Sequence, residues 1–260
     1  MSAKVLVVRC GLLPYEQARV AQRWLRSARQ DDAIPDVLLL LEHPPVYTRG
    51  RRSTAEELPM AVEWYEMQGI EVRDTDRGGR VTYHGPGQLV AYPIVSLKPY
   101  RDDVHEHVRR LERVMISSLA ELGVEAGTIE GLTGVWTKAP TPTPATAGTG
   151  ESGAMAREND PSASWKERKI ASIGVHVSRG VTTHGMAVNV NNDLQPFEWI
   201  VPCGIDGCQV TSVGRELGVE QDFDAFADTV AARYGEAFGR IPTPTDPAAL
   251  GLDSARLGVA

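Results

Sequence analysis

The sequence predicts a single α+β domain whose mixed, mostly antiparallel sheet is packed by helices. Three observations carry this reading. Aliphatic and β-branched runs at 5–8 and 37–41 have the length and content of buried strands. Longer segments repeat apolar residues at helical spacing, above all Val104, Val108, Leu111, Met115, Leu119 and Leu122. Strands and helices interleave without strict βαβ alternation, which argues against an all-parallel sheet. A chain of 260 residues can bury a sizeable core without staples.

The elements follow in order. After the strand at 5–8, Tyr15, Ala18, Ala21, Leu25 and Ala28 mark a helix, with Pro14 at its start. The strand at 37–41 comes next, then a shorter helix at 57–68. Strands at 80–83 and 88–97 flank the turn Gly85, Pro86, Gly87. The clearest helix covers 102–122, with Asp102 and Asp103 suited to its N-terminus and Gly123 to its end. Segments 133–138 and 169–177 are strand-like; in the second, Ala171, Ile173, Val175 and Val177 alternate. A last helix at 222–238 places Phe223, Phe226, Val230, Tyr234 and Phe238 on one side. There is no internal repeat.

Residues 139–164 contain almost no large apolar side chains and cannot offset their own ordering entropy. They are expected to be a flexible surface insertion in a long hairpin. The folded domain is expected to span 1–241, followed by a loosely held Pro- and Ala-rich tail at 242–260.

The balance of 27 basic and 34 acidic residues gives a net charge of −7, which argues against a general nucleic-acid binder. No apolar run approaches the ~20 residues that span a bilayer. The N-terminus lacks the apolar core of a signal peptide, so a cytoplasmic location is expected. Cys10, Cys203 and Cys208 cannot all pair, and a reducing compartment keeps them as thiols. The C-x4-C spacing of Cys203 and Cys208 lacks a second ligand pair, so structural zinc is a poor reading. His105 and His107 face different ways on a helix and make a poor metal pair.

Four local features carry possible chemistry, and a cluster of arginines stands beside them. Cys203, between Pro202 and Gly204, belongs to a turn, where a thiol is reachable; a small buried residue is the bland alternative. Lys169 starts an alternating strand; it is either an ordinary solvated lysine or a group that favours a nearby thiolate. Gly78 and Gly79, between Arg77 and Arg80, form either a hairpin turn or a close backbone approach to a ligand, and no dinucleotide or Walker pattern is present. His84 beside the Gly85 turn is a structural histidine, a base for Cys203 or a hydrogen-bond donor to substrate. Arg49, Arg51 and Arg52 form a basic knot, read as a solvated loop or a docking point for an acidic partner.

Together these features resemble the octanoyl-[acyl-carrier-protein]:protein octanoyltransferase (lipoyl/octanoyl transferase) family. Arg77, Gly78, Gly79, Arg80, Val81, Thr82, Tyr83 and His84, continuing through Gly85, Pro86, Gly87 and Gln88, look like its substrate-binding signature. Lys169 to Gly174, through Ser172 and Ile173, is similar to its lysine motif, and Gly185, Met186 and Ala187 to its following strand. Pro202, Cys203, Gly204 and Ile205 resemble its nucleophile motif, 34 residues after the lysine. Leu41 to Thr48 also fits, and the likeness runs from about 5 to 238 apart from the insertion.

The resemblance implies a biotin/lipoate protein ligase-like fold and transfer of an octanoyl or lipoyl group. The donor would be octanoyl-acyl carrier protein. The acceptors would be lipoyl domains of 2-oxoacid dehydrogenase complexes and glycine cleavage H protein. Cys203 would form a thioester acyl-enzyme, assisted by Lys169. Ser172, Ile173, Gly174, Gly185, Met186 and Ala187 would line the acyl pocket, and backbone N–H groups near Gly78 and Gly79 or Cys203 and Gly204 would hold the oxyanion. No cofactor or metal is implied, because the thioester is already activated. The rival readings are an ATP-dependent ligase on the same fold, and a binding module without chemistry.

Overall fold

The computed structural model describes residues 3–100, 103–138, 167–205 and 207–253. The segment 139–164, expected to be an insertion, lies outside the described residues, as do Asp102 and the end of the tail from 254.

β1 (Ala3–Leu12) leads into α1 (Tyr15–Gln30), and the chain returns as β2 (Asp36–Glu42). β3 (Val46–Arg49), α2 (Val62–Met67), β4 (Glu71–Asp74) and β5 (Thr82–His84) follow. Then come β6 (Gln88–Ile94), α3 (Val104–Glu121), β7 (Ala126–Gly127), β8 (Val135–Lys138), β9 (Glu167–Ser178) and β10 (Val181–Asn189). α4 (Val213–Leu217), α5 (Phe223–Phe238) and β11 (Arg240–Pro244) complete the order.

The main sheet runs β11-β1-β2-β6-β10-β9-β8-β7. β1 is parallel to both β11 and β2, and every other neighbour pairing is antiparallel, as the sequence predicts. The parallel step is made by α1, because a parallel pair needs a crossover. β2 is apolar on both faces because helices cover both sides of the sheet. Val37, Leu39 and Leu41 pack with Ala18, Ala21 and Leu25 of α1. Leu38 and Leu40 face the cluster built from Leu111, Met115 and Leu119 of α3 and Phe226, Val230 and Tyr234 of α5.

The expected helices at 102–122 and 222–238 are α3 and α5, each capped by an aspartate. Asp103 Oδ1 accepts from the Glu106 N–H and Asp222 Oδ1 from the Ala225 N–H, both at 3.0 Å. The helix expected at 57–68 is shorter: a 3-10 turn covers Ala55–Glu57 and α2 starts at Val62. Leu58 precedes Pro59, whose ring disfavours the helical conformation at 58.

A second sheet, β4-β3-β5, was not expected. Its strands are short, and β4 is almost entirely exposed and polar, so neither shows a readable period. It is held by an aromatic cluster in which the Tyr47 and Tyr65 rings meet edge-on at 5.0 Å and the Tyr83 and Phe197 rings at 5.5 Å.

The expectation of a loose tail from 242 fails as far as Asp253. β11 pairs with β1, placing Pro242 beside Val5 and Pro244 beside Val7. An edge strand tolerates prolines because their missing N–H can face outward. Beyond it, the Thr245 N–H donates to the Val7 carbonyl at 2.9 Å, the Trp24 indole to the Leu250 carbonyl at 2.9 Å, and Leu252 is buried. Among the described residues, no helix is long and apolar enough to cross a membrane.

Candidate active site

A cleft of about 700 Å3 opens against the β9–β10 hairpin. Its other walls come from the loop 77–80, β5, the start of α3 and residues 131–133. Of the residues singled out in the sequence, it brings together Lys169, Arg77, Gly78, Gly79, Arg80, Thr82, His84, Ser172, Ile173, Gly174, Gly185, Met186 and Ala187. Gly174 and Gly185 sit opposite each other in the hairpin. A Cβ on Gly185 would collide with the Ala91 carbonyl of β6, so the close strand packing there requires glycine.

Val81 and Tyr83 do not line the cleft. Side chains alternate along a strand, so Thr82 and His84 face the cleft while Val81 and Tyr83 enter the aromatic cluster with Tyr47 and Phe197. The residues not anticipated as lining include Tyr15, Tyr92, Leu132, Thr133 and Val108. Tyr15 lies on the apolar stripe of the first helix and is buried, as is Tyr92; no local pattern marks the side that either turns to the cleft.

Lys169 is a buried lysine, 4% exposed. Its ammonium donates to the Thr133 carbonyl at 3.1 Å and lies over the Trp136 ring, 4.9 Å from its centre. A carbonyl and an aromatic face replace part of the water lost by the buried cation. The Lys169 main chain also grips the segment after the cysteine motif. Its N–H donates to the Gln209 carbonyl at 2.8 Å, and its carbonyl accepts from the Thr211 N–H at 2.9 Å.

Cys203 lies in a 3-10 turn, Pro202–Gly204. The turn is closed by the Gly204 N–H to the Val201 carbonyl and the Ile205 N–H to the Pro202 carbonyl, both 3.1 Å. Gly204 has φ +66°, and a Cβ there would run into the Arg80 side chain, so this position requires glycine. Ile205 lines the cleft. The turn carrying Cys203 therefore reaches the cleft at Arg80, and the chain leaving it returns to Lys169.

The 77–80 loop is pinned from both sides. The Gly78 N–H donates to the Val175 carbonyl at 2.9 Å, while the Arg77 and Gly79 carbonyls each accept at 3.0 Å from the Arg51 and Arg52 N–H groups. Buried Arg77 donates to the Thr48 carbonyl at 2.6 Å and hydroxyl at 2.7 Å. The Gly78 and Gly204 N–H groups are thus committed to carbonyls, which removes two of the four expected oxyanion donors.

Beneath the loop lies a set of uncharged rings. The His43 Nδ1–H donates to the Leu13 carbonyl at 2.6 Å, so its Nε2 accepts from the Tyr92 hydroxyl at 2.8 Å. Burial pushes His43 down to about 4. The Gln88 amide donates to the Tyr83 carbonyl and Asn189 Oδ1, so its Oε1 accepts from the His84 Nδ1–H at 2.6 Å. Burial, reinforced by neighbouring His43, holds His84 well below the usual histidine range. His84 therefore offers the cleft a neutral Nε2 acceptor, which disfavours the hydrogen-bond donor among its three sequence alternatives. The chain of bonds continues from Asn189 to the Thr211 carbonyl at 2.9 Å, and Thr211 is bonded to Lys169.

His184 and His176 flank Asp76, at 2.8 and 3.7 Å. The His184 hydrogen bond holds the Asp76 carboxyl well below the usual carboxylate range, while burial outweighs Asp76 and lowers His184. Of the basic knot, Arg49 is paired with Asp74 at 2.8 Å, whereas Arg51 and Arg52 line the cleft. Among the described residues, no group of three His, Cys, Asp or Glu side chains is arranged to hold a metal ion.

The family described as the lipoyl protein ligase A/B catalytic domain matches residues 14–235. Octanoyltransferase of Acidothermus cellulolyticus is 43% identical over 244 residues, 92% of this chain and 96% of that one. Octanoyltransferase of Mycolicibacterium smegmatis is 44% identical over 242 residues, 93% of this chain and 92% of that one. Among solved structures, the bipartite lipoate protein ligase of Thermoplasma acidophilum superposes with a TM-score of 0.65 at 16% identity, covering 100% of this chain and 98% of that one. A lipoate-protein ligase A bound with ATP gives 0.64 at 15% identity, covering 100% of both chains. These two structures share the fold.

Proposed function

The chain belongs to the lipoyl protein ligase A/B catalytic domain family, and from that premise we propose that it is an octanoyltransferase working through a Cys203 acyl-enzyme. The supporting observation is one cleft that gathers Lys169, the 77–80 loop and the end of the Cys203 turn. Its volume lies within the range of about 300–1,000 Å3 usual for small-ligand sites.

The reaction follows from these groups. The Cys203 thiolate attacks the thioester carbonyl of an octanoyl donor. The tetrahedral intermediate collapses by breaking the donor C–S bond, and the carrier leaves as a thiol after taking up a proton. An acceptor lysine amine then attacks the Cys203 thioester, loses a proton and expels the Cys203 thiolate, leaving an amide. The Lys169 ammonium favours the thiolate, gives its proton to the departing carrier sulfur in the first step and, now neutral, accepts the amine proton in the second. The β9–β10 wall buries the acyl chain, at about 0.8 kcal/mol per methylene. No nucleotide enters, because the donor is already a thioester.

The donor is octanoyl-acyl carrier protein, and the acceptors are lipoyl domains of 2-oxoacid dehydrogenase complexes and glycine cleavage H protein. Arg51 and Arg52 at the cleft, with Arg49 neutralised by Asp74, suit an acidic carrier. The proposed setting is the cytoplasm, whose reducing poise keeps a nucleophilic cysteine as a thiol.

The test is intact-protein mass spectrometry after mixing the protein with octanoyl-acyl carrier protein and no ATP. A gain of one octanoyl group, lost in Cys203→Ala, is expected. Octanoyl transfer without an adduct would remove Cys203 as nucleophile, and transfer that requires ATP would make the chain a ligase.

A further inference from the structure

Contacts from two separate segments converge on Glu57, a residue that no motif marks. Glu57 ends the 3-10 turn before α2 and is 3% exposed. Its carboxylate pairs with the Arg80 guanidinium and accepts from the Val81 N–H at 3.1 Å. Its main-chain carbonyl accepts from the Val201 N–H at 3.1 Å. Arg80 in turn occupies the space that a Cβ on Gly204 would need. One residue thus grips the cleft loop and the turn that carries Cys203.

The rest of the chain around Cys203 shows what this grip does. Upstream, the Pro196 and Trp199 carbonyls accept from the Tyr47 and Tyr65 hydroxyls at 2.6 and 3.1 Å. The Glu57 carbonyl takes the next anchor, at Val201, two residues before Cys203. Downstream, Gln209 and Thr211 are bonded to the Lys169 main chain. The turn between these anchors is therefore suspended from Glu57 on one side and from Lys169 on the other. The ion pair is not deep core, because the Arg80 side chain is 41% exposed at the cleft. A partner that only balanced buried charge would not need its own backbone on the nucleophile turn.

We propose that Glu57 is a positioning residue for acyl transfer, fixing the Cys203 turn against the 77–81 loop through Arg80 and through its own main chain. This rests on the reading of Cys203 as the acylated residue. A displaced turn would slow attack on the thioester without weakening donor binding, because the acyl-lining residues of β9 and β10 are untouched.

The experiment measures acyl-enzyme formation by rapid-quench intact mass over a range of octanoyl-acyl carrier protein concentrations. The proteins are the parent, Glu57→Gln, Arg80→Gln, Arg80→Lys and the double variant Glu57→Gln/Arg80→Gln. Each single Gln variant is expected to slow maximal acylation by about 10- to 100-fold. In Glu57→Gln, which leaves the cleft arginines in place, half-saturating donor is expected to stay within about threefold of the parent; the Arg80 variants, which alter a cleft-lining charge, are read on maximal rate alone. The double variant is expected to be no slower than the slower single, because both act through one contact. If Glu57→Gln does not fold, the Arg80 variants decide: Arg80→Lys, which can still reach the carboxylate, should recover most of the rate lost in Arg80→Gln. Unchanged maximal rates, multiplicative losses in the double variant, a loss confined to half-saturating donor, or no recovery by lysine would each overturn the proposal. If the parent transfers octanoyl without an adduct, the Cys203 reading falls and Glu57 loses its role with it.

Discussion

At the residue scale, Lys169 is the proposed proton-transfer group, a buried ammonium with a carbonyl on one side and an indole on the other. Methionine keeps the length and apolar body of this side chain while removing the charge. Lys169→Met is therefore expected to fold normally yet lower single-turnover octanoyl transfer by about 10²- to 10⁴-fold, the usual contribution of a placed proton-transfer group. Equal transfer rates in parent and variant would remove Lys169 from the mechanism. Two other buried residues, His43 and His107, act on stability. Burial lowers each from an ordinary 6.5 to about 4. The unfolded chain then binds protons more readily than the folded one, so stability from these residues is present above pH 6.5 and is lost as pH falls toward 4. His107 differs from His43 in that neither ring nitrogen has a hydrogen-bond partner among the described residues, while its ring packs on Phe238 at 5.4 Å. His107→Leu should raise the melting temperature, and by more at pH 5 than at pH 7.5. A larger gain at the higher pH would contradict this account.

At the scale of elements, β2 is the keystone of the fold because helices cover both of its faces. Leu39 is fully buried against α1, and Leu39→Ala is expected to cost about 2–5 kcal/mol in urea unfolding, through lost transfer energy and a cavity. β11 makes a different point. Its composition reads as a tail, yet it closes the sheet beside β1 and carries Arg240, which bonds to buried Asp36 at 3.2 Å. Truncation after Gly239 should lower the melting temperature, because Val5 and Val7 lose their cover; an unchanged melt would show that the strand is decorative. The small sheet reads worst of all from sequence. Its pairing is specified by aromatic rings from β3, β5, α2 and the 195–199 turn meeting in space, a pattern with no period along the chain.

At the scale of the whole molecule, charge decides how partners meet. The chain carries −7 overall, yet its cleft is lined by Arg51, Arg52, Arg77 and Arg80. Reversing Arg51 and Arg52 to glutamate should raise KM for the acidic carrier and flatten its salt dependence, while leaving kcat close to the parent value. Unchanged KM would move the docking surface elsewhere. The segment 139–164 offers a second test at this scale. β8 and β9 pair antiparallel, with Lys138 opposite Glu167, so the chain enters and leaves the segment at neighbouring strand ends. Replacing 141–164 with a short Gly/Ser turn is expected to preserve folding and octanoyl transfer. Loss of either would show that its composition conceals a working part.

The sequence by itself determined what is local or periodic. The α1, α3 and α5 stripes, the apolar run of β2 and the alternation of β9 were legible because burial on one or both faces writes a period into the chain. The segments around Arg77 and Cys203 stood out because turn glycines and a proline mark special backbone. Tertiary structure decided which side of β5 faces the cleft, sending Thr82 and His84 inward and Val81 and Tyr83 away. It also decided that His84 presents an acceptor, that the Gly78 and Gly204 N–H groups are already committed, and that Glu57 and Lys169 hold the two ends of the Cys203 segment. Apart from the local His84–Gln88 and Gly204–Val201 bonds, these are contacts between residues far apart in the chain. Their geometry is set by strand register and loop packing, and neither leaves a trace in the residues on its own side of the contact.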